Sequence, residues 1–502
     1  MVKEIWNKLT DSIAFYVGLL FVFLLIIRGH PVPEPITEYL YIPCLVKQFN
    51  PEYLANDWTL SSPFYEHYVF NVTFGWLTLF MPMEAVGWLG RILCWLLISL
   101  ALLRLGQRFG IPLWMAFLGI LFWLLKEQSI VASSWMVGGF EAKVVAYIFL
   151  VVAFNLFIQK RYHLASFLLG LCFSFHPAVG LWGGLAVGFA LLLYRTHYKK
   201  LAAMAGLVIL GALPGLIATS ILLSKGGTSS MEVWKFVVLI QSPQHLDPAS
   251  WPLRETMLVY LLFFFNVLSA LTFRENHTIR FLVYVQLGLG LFFTLGLGLR
   301  WTGSYTLLKY FPFRVFPLLV PLCFLWQVMH AIHHYGQKKL SSFALIVGMV
   351  GLLSFGSPLG QFMDYLRETI KLNRPQNADR HKVMRWLAQN TPKKSVVIQP
   401  PWWGETFYLS QRAQIANWWA NRYDKLPEWK ARLESMVGTI PPSKAEEKVA
   451  LLEKNYNART PQQIRHIVKT YGAHFLVSKG NYAYPKLFET KTYRVYDLRK
   501  MK

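Results

Sequence analysis

Apolar stretches of 15–25 residues, separated by short polar breaks, follow one another from Ile13 to about Phe355. They fall at about 13–27, 83–103, 111–125, 141–158, 164–176, 177–194, 201–222, 255–273, 281–299, 310–332 and 340–357. A helix needs about 20 apolar residues to cross a bilayer, so the pattern predicts an α-helical polytopic membrane protein with about eleven transmembrane helices. A further apolar helix near 66–80 ends at Met81-Pro82, because proline cannot continue a helix. It is expected to be an outer, broken arm of the second span.

Beyond Gly360 the periodicity changes. Asp379–Gln389, Glu428–Val437, Lys444–Lys454 and Pro461–Tyr471 read as amphipathic helices, and Ser395–Gln399, His474–Ser478 and Tyr493–Leu498 as short strands. Helices alternating with strands predict a small α/β domain. The expected division is a transmembrane domain over 1–357, with a first outer loop at 28–68, and an extracytoplasmic α/β domain over 358–502.

Composition fits the bilayer as solvent. Of 502 residues, 54% are hydrophobic and 16% aromatic, and the mean hydropathy is +0.36. The net charge of +24 arises from 50 basic and 26 acidic residues. Its basic clusters sit in inter-helix loops: Arg104/Arg108, 159–161, Arg195–Lys200, Arg274–Arg280 and His333–Lys339. With the N-terminus inside, all five fall on the cytoplasmic side, as the positive-inside rule requires. That placement predicts contact with anionic membrane lipids and not with nucleic acid. An odd number of spans puts the C-terminal domain outside, together with 28–68, 126–140, 223–250 and 300–309. The first apolar stretch runs into Arg28-Gly29-His30-Pro31 without a small-residue cleavage site, so it is expected to be a retained helix of a multi-pass protein of the plasma (inner) membrane.

Four cysteines, Cys44, Cys94, Cys172 and Cys323, offer neither a disulfide framework nor a CxxC metal site. His330, His333 and His334 read as part of a cytoplasmic basic flank. The sequence calls for no cofactor, and no feature of it supports a divalent cation. The polar segment after the first helix is the densest source of carboxylates. Pro33-Glu34-Pro35 opens one juxtamembrane helix carrying Glu38, and Ser62-Pro63 opens another carrying Glu66 and His67, with turns at Asn50-Pro51 and Asn56-Asp57 between them. A carboxylate in partly dry surroundings has a raised pKa and can serve as a general base, a role expected of Asp57 or Glu38. The plainer alternative is that Glu34 and Glu66 serve helix N-termini and Asp57 caps a turn. Glu141, with Lys143, lies at the outer end of a span, where an ionisable group usually faces a cavity. His176-Pro177 breaks a helix at the same level, and a hydrogen-bonded structural histidine is the other reading there. Arg300, Lys309 and Arg314 gather on the outer face against the charge bias, as a phosphate site would require or as interfacial snorkelling would allow. Trp402-Trp403 and Trp418-Trp419 read as core or interface aromatics, with a sugar-stacking surface as the alternative.

The first span, the acidic outer loop with juxtamembrane helices, the polytopic core and the C-terminal outer domain together resemble the GT-C superfamily of glycosyltransferases. Trp386-Leu387-Ala388-Gln389-Asn390-Thr391-Pro392-Lys393-Lys394-Ser395-Val396-Val397 is similar to the entry into that domain in bacterial, largely cyanobacterial, members. The resemblance implies inverting transfer of a sugar from a polyprenyl-phosphate donor to an acceptor outside the cytoplasm. It also implies an early acidic base, by position Glu38 or Asp57, although the family's paired acidic motif is absent here. On that reading Arg300 or Arg314 holds the lipid phosphate while Glu34, Glu66, His67, Glu141, Lys143 and His176 shape the substrate cleft. The competing classes are a transporter or flippase of an anionic lipid or solute, and a non-catalytic membrane scaffold.

Overall fold

The structure is a computed structural model that describes residues 12–33, 37–126, 128–225, 230–335, 378–441 and 445–501. Each apolar stretch expected between residues 13 and 332 is a helix. Met83–Gln107, Tyr198–Lys225, Leu253–Thr272, His277–Trp301 and Phe316–Tyr335 are long and apolar enough to cross a membrane, and Ile13–Arg28, Leu113–Leu125, Ala142–Ile158, Tyr162–Phe175 and Pro177–Leu193 are shorter apolar helices. The stretch expected at 340–357 lies outside the described residues. The 66–80 arm ends before Pro82 as expected, but it is not one helix: 3-10 turns at Tyr65–His67 and Trp76–Leu79 flank a helix at Tyr68–Gly75.

Packing separates the bundle into two chemically different ends. At one, Asn276 donates to the Phe109 carbonyl at 3.0 Å, Arg280 reaches the Tyr194 hydroxyl at 3.4 Å, and Lys200 lies 3.6 Å over the Tyr162 ring. Phe273 packs edge-on against His330 beside them. The basic clusters of five separate loops therefore share this end, apart from Lys338 and Lys339, which lie outside the described residues. The opposite end carries the carboxylates and the C-terminal unit.

That C-terminal unit is built on a five-stranded sheet in the order β2-β1-β3-β5-β4, where β1 is Val396–Ile398, β2 Ala413–Gln414, β3 Phe475–Ser478, β4 Lys486–Glu489 and β5 Arg494–Asp497. β1 pairs in parallel with β2 and β3, and β5 runs antiparallel to β3 and β4. Val383, Met384 and Leu387 of the Ala378–Asn390 helix pack on Val397, Phe475, Val477 and Val495 of the sheet. β1, β3 and β5 are the strands the pattern predicts. β2 and β4 escape it, since one has only two residues and the other is largely exposed, so neither shows a burial alternation.

The first outer loop is where the two parts lock together. Glu38, expected as a base, is fully buried and forms a two-point ion pair with Arg91, with Nε–Oε1 at 2.7 Å and Nη2–Oε2 at 2.5 Å. Its Oε1 also accepts the Phe140 backbone N–H at 2.7 Å, and Arg91 donates to the His30 carbonyl at 2.6 Å. Asp57, the other expected base, is buried as a turn cap. Its Oδ1 accepts the Leu60 N–H at 3.0 Å and its Oδ2 the Gln414 N–H of β2 at 2.8 Å. Removing one partner of a buried ion pair costs about 3–5 kcal/mol, because the other charge stays behind. Glu38→Gln and Arg91→Met should each lower thermal stability in detergent by that order, while the double variant Glu38→Leu/Arg91→Met recovers most of it. Melting curves of the purified variants check this, and single variants as stable as the parent would contradict it.

Candidate functional site

A length mismatch between packed helices opens a cavity at the acidic end. Tyr162–Phe175 has 14 residues, whereas Tyr198–Lys225 has 28. The two cross on glycine: a Cβ at Gly170 would sit 2.2 Å from the Val208 carbonyl oxygen, and one at Gly211 would sit 2.3 Å from that of Phe167. Ser174 Oγ closes the crossing by donating to the Gly211 carbonyl at 2.8 Å. The short helix stops at His176-Pro177, but the long one continues past Gly215 to Lys225, about 15 Å further at 1.5 Å per residue. This overhang supplies Leu216, Thr219, Leu222 and Leu223 as one wall of a cavity of about 860 Å³. Leu216 and Leu223 are 36% and 56% exposed, so the same wall is continuous with the apolar outer surface of the bundle.

The polar lining comes from seven separate segments. Glu66 and His67 sit on the Tyr65–His67 turn, Tyr41 on the Glu38–Phe49 helix, Glu141 and Lys143 at the start of Ala142–Ile158, and His176 at the cap of Pro177–Leu193. The 302–315 loop brings Lys309, Tyr310 and Arg314. Phe311, before Pro312, holds a left-handed conformation at φ 53°, which costs a non-glycine residue about 1–3 kcal/mol. Trp182 pins that turn by donating to the Tyr310 carbonyl at 2.7 Å. Trp419, Asn421 and Tyr423 of the C-terminal unit, with Trp234, Gln241 and His245, complete the lining.

Charge in the cavity is unevenly satisfied. Glu141 lies 3.8 Å from Lys143 Nζ and accepts the Trp135 indole N–H, and Lys143 stands 3.3 Å over the Trp135 ring. Among the described residues Arg314 and Lys309 have no carboxylate partner; Arg314 Cζ lies 4.8 Å over the Phe311 ring, and its buried Nε lacks a hydrogen-bond acceptor. Glu66 likewise forms no ion pair among the described residues. Burial pushes its carboxyl up to about 7, against the opposing pull of a backbone hydrogen bond and of Arg422. Burial holds His67 down to about 3, helped by Lys143 and Arg314, and does the same to His245. The imidazoles are therefore neutral at pH 7, and the His67 Nε2 meets the Tyr41 hydroxyl at 3.1 Å. His67 and His176 stand 5.9 Å apart, ring centre to ring centre.

Of the residues expected from sequence, Glu66, His67, Glu141, Lys143, His176 and Arg314 thus come together. Glu38 and Asp57 do not line the cavity, which corrects the expectation of a shared cleft: both carboxylates are spent on holding backbone and Arg91. Arg300 is turned away and pairs with Asp247, Nε–Oδ1 2.6 Å. Glu34 lies outside the described residues. Trp403 and Trp418 are core, and Trp419 reaches the cavity. Sequence reading missed Tyr41, Trp135, His245, Asn421 and Tyr423. His245 had a signal, as an isolated histidine in a segment between two apolar helices, whereas Asn421 and Tyr423 had none. No metal-binding group of three or more His, Cys, Asp or Glu residues occurs among the described residues.

No protein-family model matches the chain, and no curated protein is significantly similar to it.

The Glu66 carboxyl gives a pH signature. Its folded pKa stands above the ordinary value of 4.5, so the folded state binds more protons than the unfolded state between those two values. This contribution to stability is full below pH 4.5 and is lost as pH rises through about 7. Glu66→Gln should remove that part of the decline, and melting temperatures of both proteins between pH 5 and 8 measure it (about that range brackets the titration). Parallel curves would mean Glu66 is not the group titrating.

Proposed function

We propose that this chain is an integral membrane glycosyltransferase that moves a sugar from a polyprenyl-phosphate donor to an acceptor hydroxyl on the extracytoplasmic face. One observation carries the reading. One cavity joins a lipid-facing apolar wall to two cations without carboxylate partners among the described residues and to a carboxyl poised near neutrality. An amphiphile with an anionic head fits that combination. Its chain lies along Leu216–Leu223, and its phosphate meets Arg314 and Lys309 by charge-assisted hydrogen bonds. The volume of about 860 Å³ is within the usual range for small-molecule sites. The architectural likeness to GT-C enzymes supports a sugar as the transferred group.

The chemistry follows as one displacement. Glu66 Oε takes the proton of the acceptor hydroxyl, whose oxygen attacks the anomeric carbon. The bond from that carbon to the phosphate oxygen breaks, and the lipid phosphate leaves with the electron pair, stabilised by Arg314 and Lys309. Neutral His67 supplies an N–H donor without adding positive charge that would suppress a carboxylate base, and His176 stands beside it.

The topology belongs to the same proposal: eleven crossings of the plasma (inner) membrane, with the N-terminus cytoplasmic and the C-terminal unit outside. It is supported by the basic loops gathered at one end and by exposed Phe80 and Trp301, at 78% and 85%, flanking the cavity end as interfacial anchors. All four native cysteines are buried, so single cysteines at Thr439 and Glu275 should report sidedness cleanly. An impermeant maleimide should label the first from outside intact cells and the second only after lysis. The reverse pattern would overturn the orientation.

Arg314→Ala should weaken binding of a fluorescent polyprenyl phosphate by roughly 10–100-fold, the value of a hydrogen bond to a charged group. Glu66→Gln should preserve that binding and lower sugar transfer by about 10²–10⁴-fold, as expected for loss of a general base. Normal transfer by the Glu66 variant would remove it as the base. Tight lipid binding with no transfer by the parent protein, across donor sugars, would instead favour a transporter or scaffold.

A further inference from the structure

The C-terminal unit reaches the cavity through Trp419, Asn421 and Tyr423, and the residue between the last two is turned the other way. Arg422 is buried, and each of its five N–H groups has an acceptor. Nε and Nη2 form a fork on Asp424 at 2.9 and 2.7 Å. Nη1 donates to the Thr59 and Ser62 carbonyls at 2.6 and 2.7 Å, and the second Nη2 proton goes to Ser62 Oγ. The guanidinium lies 4.7 Å over the Phe64 ring. Ser62 and Phe64 lead directly into Glu66 and His67, while Asn421 and Tyr423 flank the arginine on the other strand of this contact.

We propose that Arg422 is a positioning residue, which clamps the C-terminal unit onto the first outer loop and so sets both the place and the protonation of Glu66. This inference rests on the reading that Glu66 works in the cavity. A buried guanidinium with all donors engaged fixes two backbone segments at once, and lysine cannot reproduce the fork. The Arg422 charge and the Asp424 charge act on Glu66 in opposite directions, the first favouring the carboxylate and the second the acid. Other groups facing Glu66 are Tyr423 from the same unit and Tyr41 and Cys44 from the Glu38–Phe49 helix, while Lys225 donates to the hydroxyl of the preceding Tyr65 at 2.7 Å. His67, His176, Lys143 and Arg314 stand around the rest of the cavity. The opposite signs expected for the Arg422 and Asp424 charges separate their effect on Glu66 from any shift of Tyr423, which adjoins the clamp.

The test reads Glu66 directly, as the infrared carboxyl band lost in Glu66→Gln difference spectra of full-length protein in lipid nanodiscs, titrated by pH. Asp424→Asn should lower the Glu66 midpoint and Arg422→Gln should raise it, each by about one pH unit, the lower end for a charge a few ångströms away. Arg422→Lys should leave the midpoint near that of the parent but weaken polyprenyl phosphate binding several-fold, because charge is kept and geometry is lost. If Arg422→Gln fails to fold, the opposite-signed effect of Asp424→Asn and the split behaviour of Arg422→Lys still decide the matter. Midpoints that do not move, or that move in one direction for both charge variants, overturn the clamp. A parent protein that binds no polyprenyl phosphate defeats the donor reading alone, since the titration does not depend on that ligand.

Discussion

The buried pair between Glu38 and Arg91 is the interaction on which the site's geometry depends. It joins the first outer helix to the Met83–Gln107 helix, fixes the His30 carbonyl after the first span, and takes the Phe140 N–H just before Glu141. Three regions of the chain, around residues 30–38, 91 and 140, are thereby held in one arrangement. Two charges taken out of water are costly, and a buried ion pair contributes little net stability compared with apolar packing. What it contributes here is specificity. The Arg91 fork on Glu38 is two-point and buried, so it fixes the register of the Glu38–Phe49 helix on the bundle. Tyr41 and His67 meet across the cavity because of that register.

Given this frame, the cavity follows from helix length. A bundle of equal helices would pack shut, since protein interiors are filled to crystal-like density. Here the 14-residue Tyr162–Phe175 helix ends beneath the upper half of its 28-residue neighbour, and the close glycine crossing prevents the two from sliding to compensate. The gap is lined below by His176 and Glu141 and on the side by leucines that also face outward. An apolar wall shared between a cavity and the outer surface gives hydrocarbon a route inward without passing through water. His176 and Glu141 sit where helices begin or end, and there the backbone itself leaves carbonyl and amide groups to be satisfied.

The C-terminal unit is a wall of this site as well as a separate fold. Its sheet is stabilised by its own small core, yet the segment from Trp418 to Asp424 makes no strand and packs instead on the outer loops. Gln241 donates to the Trp418 carbonyl at 3.2 Å, Trp234 stacks with Tyr423 at 6.0 Å, and Lys448 reaches the Ile240 carbonyl at 2.5 Å. Apolar contacts join the two as well, with Phe236 packed edge-on against Trp418 and Trp429.

Much of the fold was written in the pattern of the chain. Ten apolar stretches became helices because each carries enough hydrocarbon to demand burial or lipid, and the strands with an inward-facing side, such as Val396–Ile398 and Phe475–Ser478, declared themselves by residue type. The gathering of basic loops at one end was legible too, since it needs only the count of crossings. The roles of the carboxylates were not. Glu38, Asp57, Glu66 and Glu141 all lie beside apolar helices and look alike in sequence, and what separates them is the partner each one finds. Glu38 meets Arg91 across 53 residues and Asp57 meets the Gln414 amide across 357, and both are consumed. Glu66 meets no cation within reach of an ion pair among the described residues, and it is left facing the cavity with its charge in question. Local sequence determines which groups are ionisable and which segments must be buried. Only long-range packing determines which of those groups is neutralised by a neighbour, because Coulomb and desolvation energies depend on distances that the chain order does not contain.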